Sequence, residues 1–508
     1  MAVALPVRVM AIETRFRWRS AALGILLPGV IAASACFSMR ASSGGGQTTF
    51  QGPRVVHPDG VALPEGYGIE AIAQGLNLPS AVAFDASGRP HVVEAGYSYG
   101  EVWATPRLLR VEEDGRTTTV ASGGNNGPWN GVVFHGGSFY VAEGGERDGG
   151  RILRITPGGE ISTLVEKLPS VGDHHTNGPA VGPDGWIYFG QGTATNSGIV
   201  GEDSAKFGWL ARHPKFHDVP CREVTLAGRN FETPNVLQPG SNAAVQTGAY
   251  LPFGTPSRAG QIVKGEIPCT GAVMKVPAEG GRPELVAWGL RNPFGLAFSP
   301  AGRLYVTENS YDVRGSRPVF GTGDVLWEIT PGAWYGWPDH HGDRRLDDGD
   351  HFDPPGGPKP ELLLSSHPGK PPKPSALFGV HSSANGFDFS RSEAFGHVGQ
   401  LFVALFGDMS PGTGKTLSPV GFKVVRVDPR TGVVKDFAAN KGPKNGPASR
   451  IGGGGLERPV AARFDPSGSA LYVVDFGVMT IGENPQPRQN TGVLWRITGR
   501  SSIAEPKP

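Results

Sequence analysis

Cysteine, charge and long helical patterns are all scarce in this chain. Only three of its 508 residues are cysteine, and Asp, Glu, Lys and Arg together make up 18% of it, with a formal net charge of +1. A nearly neutral chain lacks the basic bias of a nucleic-acid-binding protein, so no nucleic-acid partner is expected. The absence of Cys-x-x-Cys-His argues against a c-type haem, and no long amphipathic helix or strand-turn-helix nucleophile motif is present.

Glycine and proline are abundant, and they punctuate a repeating strand pattern. The chain holds 77 Gly and 46 Pro. The clearest copy of the pattern lies in 289–338, where GLRNPFGLAFSPAGRLYVTENS is followed by GDVLWEITPGAWYGWPD. Two apolar strands joined by a Gly-containing turn predict an antiparallel hairpin, and a third strand follows an acidic loop.

Six copies of this unit occur in order along the chain. Repeats of a few tens of residues with several short strands each predict a β-propeller, whose sheets bury both faces against their neighbours. We therefore predict an all-β fold: a six-bladed propeller of four-stranded antiparallel blades over 63–500, in which an N-terminal strand at 67–73 closes the last blade. The predicted inner strands are 78–84, 129–134, 178–181, 294–298, 381–389 and 458–464.

The first 36 residues are typical of an export signal. Four arginines between positions 8 and 19 precede an apolar run at 21–35 that ends in small residues before Cys36. We predict a lipoprotein-type signal at 1–36 with Cys36 lipidated, so that the membrane is contacted only through this anchor at the periplasmic or cell surface. A plain cleaved signal and an uncleaved anchor are the alternatives. Residues 37–62 are predicted to be a flexible tether, and 501–508 a tail.

The other two cysteines lie in one long insertion into blade three. Cys221 and Cys269 both fall within the predicted insertion 196–270. In an oxidising compartment they could form a disulfide that closes this loop and stabilises the fold by about 3 to 4 kcal/mol. Two unpaired cysteines are the alternative.

Polar residues cluster in the loops that lead into the inner strands. We call these segments the leading loops, and in a propeller they converge on the mouth of the central axis. His381 points to this mouth as a ligand, a base or a packing residue. Asp324, at the start of a strand beside an acidic loop, is a metal candidate. The most informative leading loops are Asp-His-His-Thr-Asn at 173–177, Leu-Arg-Asn-Pro at 290–293 and Leu-Glu-Arg-Pro at 456–459.

Several motifs resemble the soluble pyrroloquinoline quinone (PQQ) glucose/sorbosone dehydrogenase family. They are DHHTNGPAVGPDGWIYFGQG, GLRNPFGLAFSPAGRLYVTEN with YGWP beyond it, VGFKVVRV, and LERPVAARFDPSG with VLWRI. The resemblance covers nearly all of 76–497 apart from the insertion. It implies oxidation of an aldose or related polyol to a lactone or acid, with PQQ as hydride acceptor and Ca²⁺ as a second cofactor.

The resemblance also implies roles for particular residues. It makes His174 the catalytic base, with Asp173 orienting its imidazole, and it places Arg291 and Asn292 on the quinone oxygens. Arg458 would bind a cofactor carboxylate. Backbone carbonyls of Ser310 and Tyr311 would hold the Ca²⁺.

The chain departs from the family pattern in its cations. Asn177 stands where family members often carry Arg or Lys. A second family lysine matches Lys415 or Lys423 only loosely, and we take Lys423 as the candidate to bind the cofactor. A sugar substrate and a quinone or cytochrome electron acceptor are the expected partners. The alternatives are a non-catalytic propeller that binds carbohydrate or protein, and a Ca²⁺-dependent lactonase-like hydrolase.

Overall fold

Six four-stranded antiparallel sheets make up the bulk of the molecule. The computed structural model describes residues 49–96, 104–238, 240, 243–410, 413, 414, 416, 418–481 and 485–499. In each sheet the strands follow one another from the inner to the outer edge, and the inner strands of neighbouring sheets pack together. This arrangement confirms the predicted all-β class and the six-bladed propeller.

The strands of the blades follow chain order, except that the last blade takes its outer strand from the start of the domain. From the inner to the outer edge they are Pro79–Phe84, Pro90–Glu94, Arg107–Val111 and Thr117–Ser122 in blade one; Trp129–His135, Ser138–Glu143, Gly150–Ile155 and Ile161–Leu168 in blade two; Thr176–Val181, Ile187–Gln191, Ala272–Val276 and Glu284–Trp288 in blade three; Asn292–Phe298, Leu304–Asn309, Gly323–Glu328 and Ala376–Val380 in blade four; Ala384–Phe389, Leu401–Leu405, Lys423–Asp428 and Val433–Asn440 in blade five; and Pro459–Phe464, Ala470–Asp475, Gly492–Gly499 and Tyr67–Leu76 in blade six.

Glycine lets the inner strands meet closely around the axis. A Cβ atom built on Gly131 of blade two would lie 1.3 Å from the carbonyl oxygen of Gly178 in blade three. One built on Gly295 of blade four would lie 2.4 Å from the carbonyl oxygen of Asn385 in blade five. Any larger residue at these two positions would force neighbouring blades apart.

Buried carboxylates near the ends of the second strands anchor the leading loops. The backbone N–H of Arg291 donates to Glu308, and that of Arg458 donates to Asp475 at 2.8 Å. Tryptophan indoles of the third strands donate to the same two carboxylates, at 2.5 Å in blade four and 3.2 Å in blade six. Because buried backbone donors need partners, these acids fix the path of each loop.

The insertion in blade three forms a small layer of its own. It contains helices α1 (Glu202–Lys206) and α2 (Trp209–Arg212) and two hairpins. Cys221 and Cys269 are joined in a disulfide. The hairpin strands are Val224–Ala227 with Ala259–Val263, and Asn230–Pro234 with Ala244–Gly248.

The remaining short elements lie in loops between and before the blades. Two-residue strands pair as His340–His341 with Arg344–Arg345 and as Met479–Thr480 with Gln486–Pro487. Helix α3 spans Ala448–Ile451, and a 3-10 turn spans Pro58–Gly60. No helix within the described ranges is long and apolar enough to cross a membrane.

Part of the segment predicted to be a flexible tether is packed against the propeller. Arg54 forms a 2.5 Å ion pair with Asp475, and both side chains are buried. Strand Val61–Ala62 pairs with the outer edge of blade five. A free tether is therefore the wrong description from Arg54 onward, because this part of the segment has specific polar and backbone partners. The predicted signal, its Cys36 and the tail at 501–508 lie outside the described residues.

Candidate active site

A cavity of about 580 Å³ opens where the leading loops converge. Its wall collects most of the candidates that the sequence indicated, although they lie far apart along the chain. Arg458, Lys423 and Tyr311 are not among its lining residues within the described ranges. The candidates that line it are Asp173, His174, Arg291, Asn292, Ser310, Asp324 and His381.

His174 has the geometry of a neutral base. Its Nδ1 lies 2.9 Å from the carbonyl oxygen of Thr193 and 3.1 Å from the hydroxyl of the same residue. A carbonyl can only accept, so Nδ1 carries the proton and Nε2 keeps its lone pair. Burial, together with the positive charges of Arg291 and Arg314, holds the pKa of His174 well below its ordinary value. The ring is therefore neutral at neutral pH, and its Nε2 lone pair can accept a hydrogen bond.

Asp173 does not orient the ring as the resemblance implied, because Thr193 holds Nδ1. The Asp173 carboxylate instead accepts a 2.6 Å hydrogen bond from the indole of Trp209 and pairs with Arg314 at 2.8 Å. Arg314 also contacts Asp203 of the insertion at 2.6 Å and Asp312 at 3.0 Å. This arginine therefore joins the leading loop of blade three, the insertion and blade four.

Arg291 lies in the cavity wall but is already held by protein groups. It pairs with Asp312 at 2.9 Å and donates to both oxygens of Asn196, the backbone one and the amide one, each at 2.9 Å. Burial alone would raise the pKa of Asp312, but Arg291 and Arg314 together keep it below the usual value. The acidic side chain therefore stays ionised and neutralises much of the arginine's charge.

A chain of asparagine side chains runs across the cavity from blade two to blade five. The amide of Asn130 donates to Asn177, that of Asn177 to Asn292 and that of Asn292 to Asn309, at 2.9 to 3.0 Å. Asn309 continues the chain toward Asn385 at 3.4 Å. All five line the cavity.

Sequence reasoning picked out only one of these amides, Asn292, as a site residue. A signal was present, since four of the five begin an inner strand in the same way, directly before Gly or Pro. Asn292 donates one amide N–H to Asn309, and its second N–H has no acceptor in the part of the chain that the structure describes, so it can donate to a ligand.

His381 is buried beside this network in an uncommon backbone conformation. Its φ is +60°, and Ser383 two residues later has φ +54°. Its Nδ1 lies 3.6 Å from Asp312. Its Nε2 is buried without a hydrogen-bond partner in the described part of the chain. Non-glycine residues in this region cost energy and often mark functional sites.

Arg458 is a structural residue and not the carboxylate ligand that the resemblance implied. Its guanidinium lies between the rings of Phe406 and Phe422, 5.0 Å from each centroid. It donates to the carbonyl oxygens of Gly407 at 3.0 Å and Asp408 at 3.2 Å. The side chain fixes the loop after the second strand of blade five, since cation–π contacts and carbonyl bonds hold it away from the cavity.

Lys423, a candidate for the cofactor through the family resemblance, also lies away from the cavity. It begins the third strand of blade five and pairs with Asp436 of the fourth strand at 2.9 Å. The third strand lies away from the axis, so this lysine cannot act as a cavity cation. Lys415 lies outside the described residues.

The predicted Ca²⁺ ligands are engaged in other contacts. Asp324 accepts from the backbone of Ser310 at 3.0 Å, from the hydroxyl of Ser382 at 3.1 Å and from the backbone of Ala384 at 2.8 Å. The carbonyl of Tyr311 accepts from Thr322 at 2.9 Å. No group of three or more acidic, His or Cys side chains suited to a metal occurs within the described ranges. Asp324 thus ties blade four to blade five, and the backbone carbonyls of Ser310 and Tyr311 stay the predicted Ca²⁺ ligands.

The insertion supplies a roof over one side of the cavity. We use the name roof for 202–212, which contains both short helices. Its cavity-lining residues are Asp203, Lys206, Phe207, Gly208 and Arg212.

Blades five and six also contribute apolar side chains to the cavity lining. They are Phe406, Met409, Val460 and Phe476.

The donor set fits a planar quinone in part. Asn292 has an N–H left to offer, and His174 presents a lone pair. Three carboxylates of a PQQ molecule need cations, yet Arg291 and Arg314 are paired with Asp312, Asp173 and Asp203. Lys206, on the roof, supplies a positive charge that the cavity's acids do not neutralise. If PQQ binds in this cavity, Asn292 would donate to it and Lys206 would supply a cation for one of its carboxylates.

Solved structures share this fold at low sequence identity. No protein-family model and no curated protein matches the chain. The PQQ domain of pyranose dehydrogenase from Coprinopsis cinerea, in its holo form, is similar over 88% of this chain and 98% of its own, with a TM-score of 0.51 and 17% identity. A Trichoderma reesei carbohydrate-active enzyme of family AA12 is similar over 88% of this chain and 100% of its own, with a TM-score of 0.53 and 15% identity. These similarities establish the propeller fold.

Proposed function

We propose that the protein is a sugar dehydrogenase that oxidises a hydroxyl group of an aldose or related polyol, with PQQ as the hydride acceptor. The observation that carries the proposal is His174, a buried neutral imidazole that lines the cavity at the propeller mouth and has its Nδ1 bound to Thr193. Oxidation of an alcohol needs a base for the O–H proton, and this ring provides it.

When bound, PQQ supplies the two-electron chemistry by accepting the hydride that leaves the carbon. The chain's own part is to move one proton from the substrate hydroxyl to Nε2 of His174. The bond from Nδ1 to Thr193 keeps the ring in the correct tautomer and orientation before and after this step. A hydroxyl on the anomeric carbon becomes a lactone, and one on another carbon becomes a ketone or aldehyde.

The wall around the base positions ligands and limits water. Asn292 and its amide neighbours present hydrogen-bonding groups in one layer, which suits ring oxygens and sugar hydroxyls. Phe406 and Phe476, which pack edge to face with ring centroids 5.3 Å apart, add apolar surface to the same cavity. Aromatic surface next to amides is the usual composition of a small-molecule pocket.

The experiment is a titration of apoprotein with PQQ, followed by the quinone absorbance, and then an aldose panel with an artificial electron acceptor. We expect stoichiometric binding and reduction by at least one sugar. His174→Gln is expected to bind PQQ as the wild type does and to lose turnover by at least a hundredfold, since a general base contributes about 10²- to 10⁴-fold.

His217→Gln is the matched control, because this half-buried insertion histidine contacts the nearby backbone of Lys215 and is not among the described residues that line the cavity. It should retain full turnover. Equal turnover in His174→Gln and wild type would contradict the assignment of the base. No PQQ binding by wild type would contradict the dehydrogenase and favour a propeller that binds carbohydrate without reacting.

We also propose that the protein works outside the cytoplasm, held by a lipid on Cys36. The Cys221–Cys269 disulfide supports an oxidising compartment. Mass spectrometry of the N-terminus of the protein from membranes tests the anchor, and Cys36→Ser should then release the protein. An unmodified Cys36, or a Cys36→Ser protein that stays membrane-bound, would contradict it.

A further inference from the structure

The roof is fixed to three blades, so the side chains on its inner face have defined positions. Arg212 of α2 pairs with Glu146 of blade two. The indole of Trp209 donates to Asp173 of the leading loop of blade three, and Asp203 of α1 pairs with Arg314 of blade four. Trp209 and Leu210, which belong to the roof, are buried in an apolar cluster with Val200. The roof is thus a built part of the cavity.

The cations that line the cavity differ in whether a carboxylate already neutralises their charge. Four Lys or Arg residues line it within the described ranges: Lys206, Arg212, Arg291 and Arg314. The three arginines each face a carboxylate at ion-pair distance. Lys206 has no ion-pair partner in the described part of the chain, and its side chain is exposed.

We propose that Lys206 binds a carboxylate group of a ligand in the cavity. This inference rests on the proposed function for its setting. The cavity acids Asp173, Asp203 and Asp312 neutralise Arg291 and Arg314, so an anionic ligand gains most from the cation that they leave unpaired. An ammonium group acts as a point charge and needs no planar partner, which suits a carboxylate entering from different angles.

Two ligands could bring this carboxylate into the cavity. One is the quinone cofactor, which carries three carboxylates. The other is a sugar acid, whose carboxylate would distinguish it from a neutral aldose. Both use the same charge-assisted hydrogen bond, so separate measurements must assign it.

The test compares wild type with Lys206→Gln and Lys206→Arg in two titrations. PQQ is added to apoprotein and followed by absorbance, and glucuronate is added to apoprotein and followed by calorimetry. Lys215→Gln is the matched control, since Lys215 is an exposed lysine just beyond the roof that does not line the cavity. Far-UV and near-UV circular dichroism verify that each variant is folded.

We expect Lys206→Gln to weaken one of the two ligands about tenfold, the size of one charge-assisted hydrogen bond, while Lys206→Arg stays close to wild type. A loss confined to PQQ assigns the carboxylate to the cofactor, and a loss confined to glucuronate assigns it to the substrate. Equal affinities of wild type and Lys206→Gln for both ligands overturn the proposal. If wild type binds no PQQ, the dehydrogenase proposal fails while the glucuronate titration still decides the role of Lys206.

Discussion

Blades four and six carry an arginine at the same point of the repeat, yet the two side chains do different things. In both blades the arginine N–H donates to a carboxylate near the end of the second strand, Glu308 or Asp475. From this shared backbone the Arg291 side chain reaches the cavity wall and pairs with Asp312. The Arg458 side chain instead lies between two aromatic rings.

The difference shows that the repeat determines the backbone and the neighbours determine the side chain. Arg291 meets Asn196, which belongs to the insertion next to blade three. Arg458 meets Phe406 and Phe422 of blade five, which form an aromatic slot for a cation. Alignment of the repeats therefore assigns the same role to both arginines, and only one of them lines the cavity.

The largest expected loss of stability follows from replacing the two carboxylates that anchor the leading loops of blades four and six. Asp475→Ala removes the partner of buried Arg54 and of three backbone N–H groups, and should lower the free energy of unfolding by about 4 kcal/mol or more. Glu308→Ala, which frees one backbone N–H and one indole, should lower it by about 2 to 3 kcal/mol. Urea denaturation measures both. Equal losses would mean that Arg54 adds nothing to blade six.

Glu308 also makes the free energy of unfolding depend on pH. Burial raises its pKa from 4.5 to about 7. The folded state therefore favours the protonated acid, and this stabilisation is complete below about pH 4.5 and is lost as the pH rises through 7. Between pH 5 and 8 wild type should lose up to about 3 kcal/mol more stability than Glu308→Gln, which cannot ionise.

The pH dependence of wild type and of Glu308→Gln can be compared directly, because the two proteins differ in this one titrating group. Burial raises the pKa of Glu457 in blade six to about 7 as well, and that group is present in both proteins. Its contribution therefore cancels in the difference. Parallel stability curves for wild type and Glu308→Gln would show that Glu308 does not titrate in this range.

Replacing the two arginines separates their roles. Arg458→Met should lower the free energy of unfolding by about 2 kcal/mol, because the carbonyls of Gly407 and Asp408 lose their donor, and it should leave PQQ affinity unchanged. Arg291→Met should weaken PQQ binding by less than about tenfold, because the loss of the arginine leaves Asp312 less neutralised and repels the anionic cofactor. The absorbance titration and urea denaturation provide the two readouts. A loss of PQQ affinity in folded Arg458→Met would restore this arginine as a cofactor ligand.

The smallest effect concerns Lys423. Its partner Asp436 has a side chain that is 62% exposed, so solvent screens the pair. Lys423→Met should change the free energy of unfolding by less than about 0.5 kcal/mol and leave PQQ affinity unaltered. A tenfold loss of PQQ affinity would place this lysine in the cavity after all.

The fold could be predicted because its signals are local and repeated. Each blade carries its own turns and apolar strands, and six repetitions leave little choice of architecture. The positions of His174, Arg291 and Asn292 at the mouth followed from the leading loops, since loop position depends on the repeat. The prediction of a flexible tether at 37–62 failed from Arg54 onward, because a Gly- and Pro-rich segment can still dock when one residue has a buried partner, as Arg54 has in Asp475.

Contacts between distant segments were beyond sequence reasoning. The sequence placed Asp173 next to His174, but it could not show that Trp209 and Arg314, 36 and 141 residues further on, would take its carboxylate. The roof depends on the same kind of contact. The asparagine chain could have been predicted more easily from the sequence, because Asn130, Asn177 and Asn385 each precede glycine at one position of the repeat.

The shared sixth blade also constrains how the chain can fold. Strand Tyr67–Leu76 is made early, but its partner Gly492–Gly499 is among the last described residues to be synthesised. Until that partner arrives, the early strand has no partner on either edge and is open to pairing with another chain. Removal of either strand should therefore have the same outcome, an open sheet edge that favours aggregation during biosynthesis.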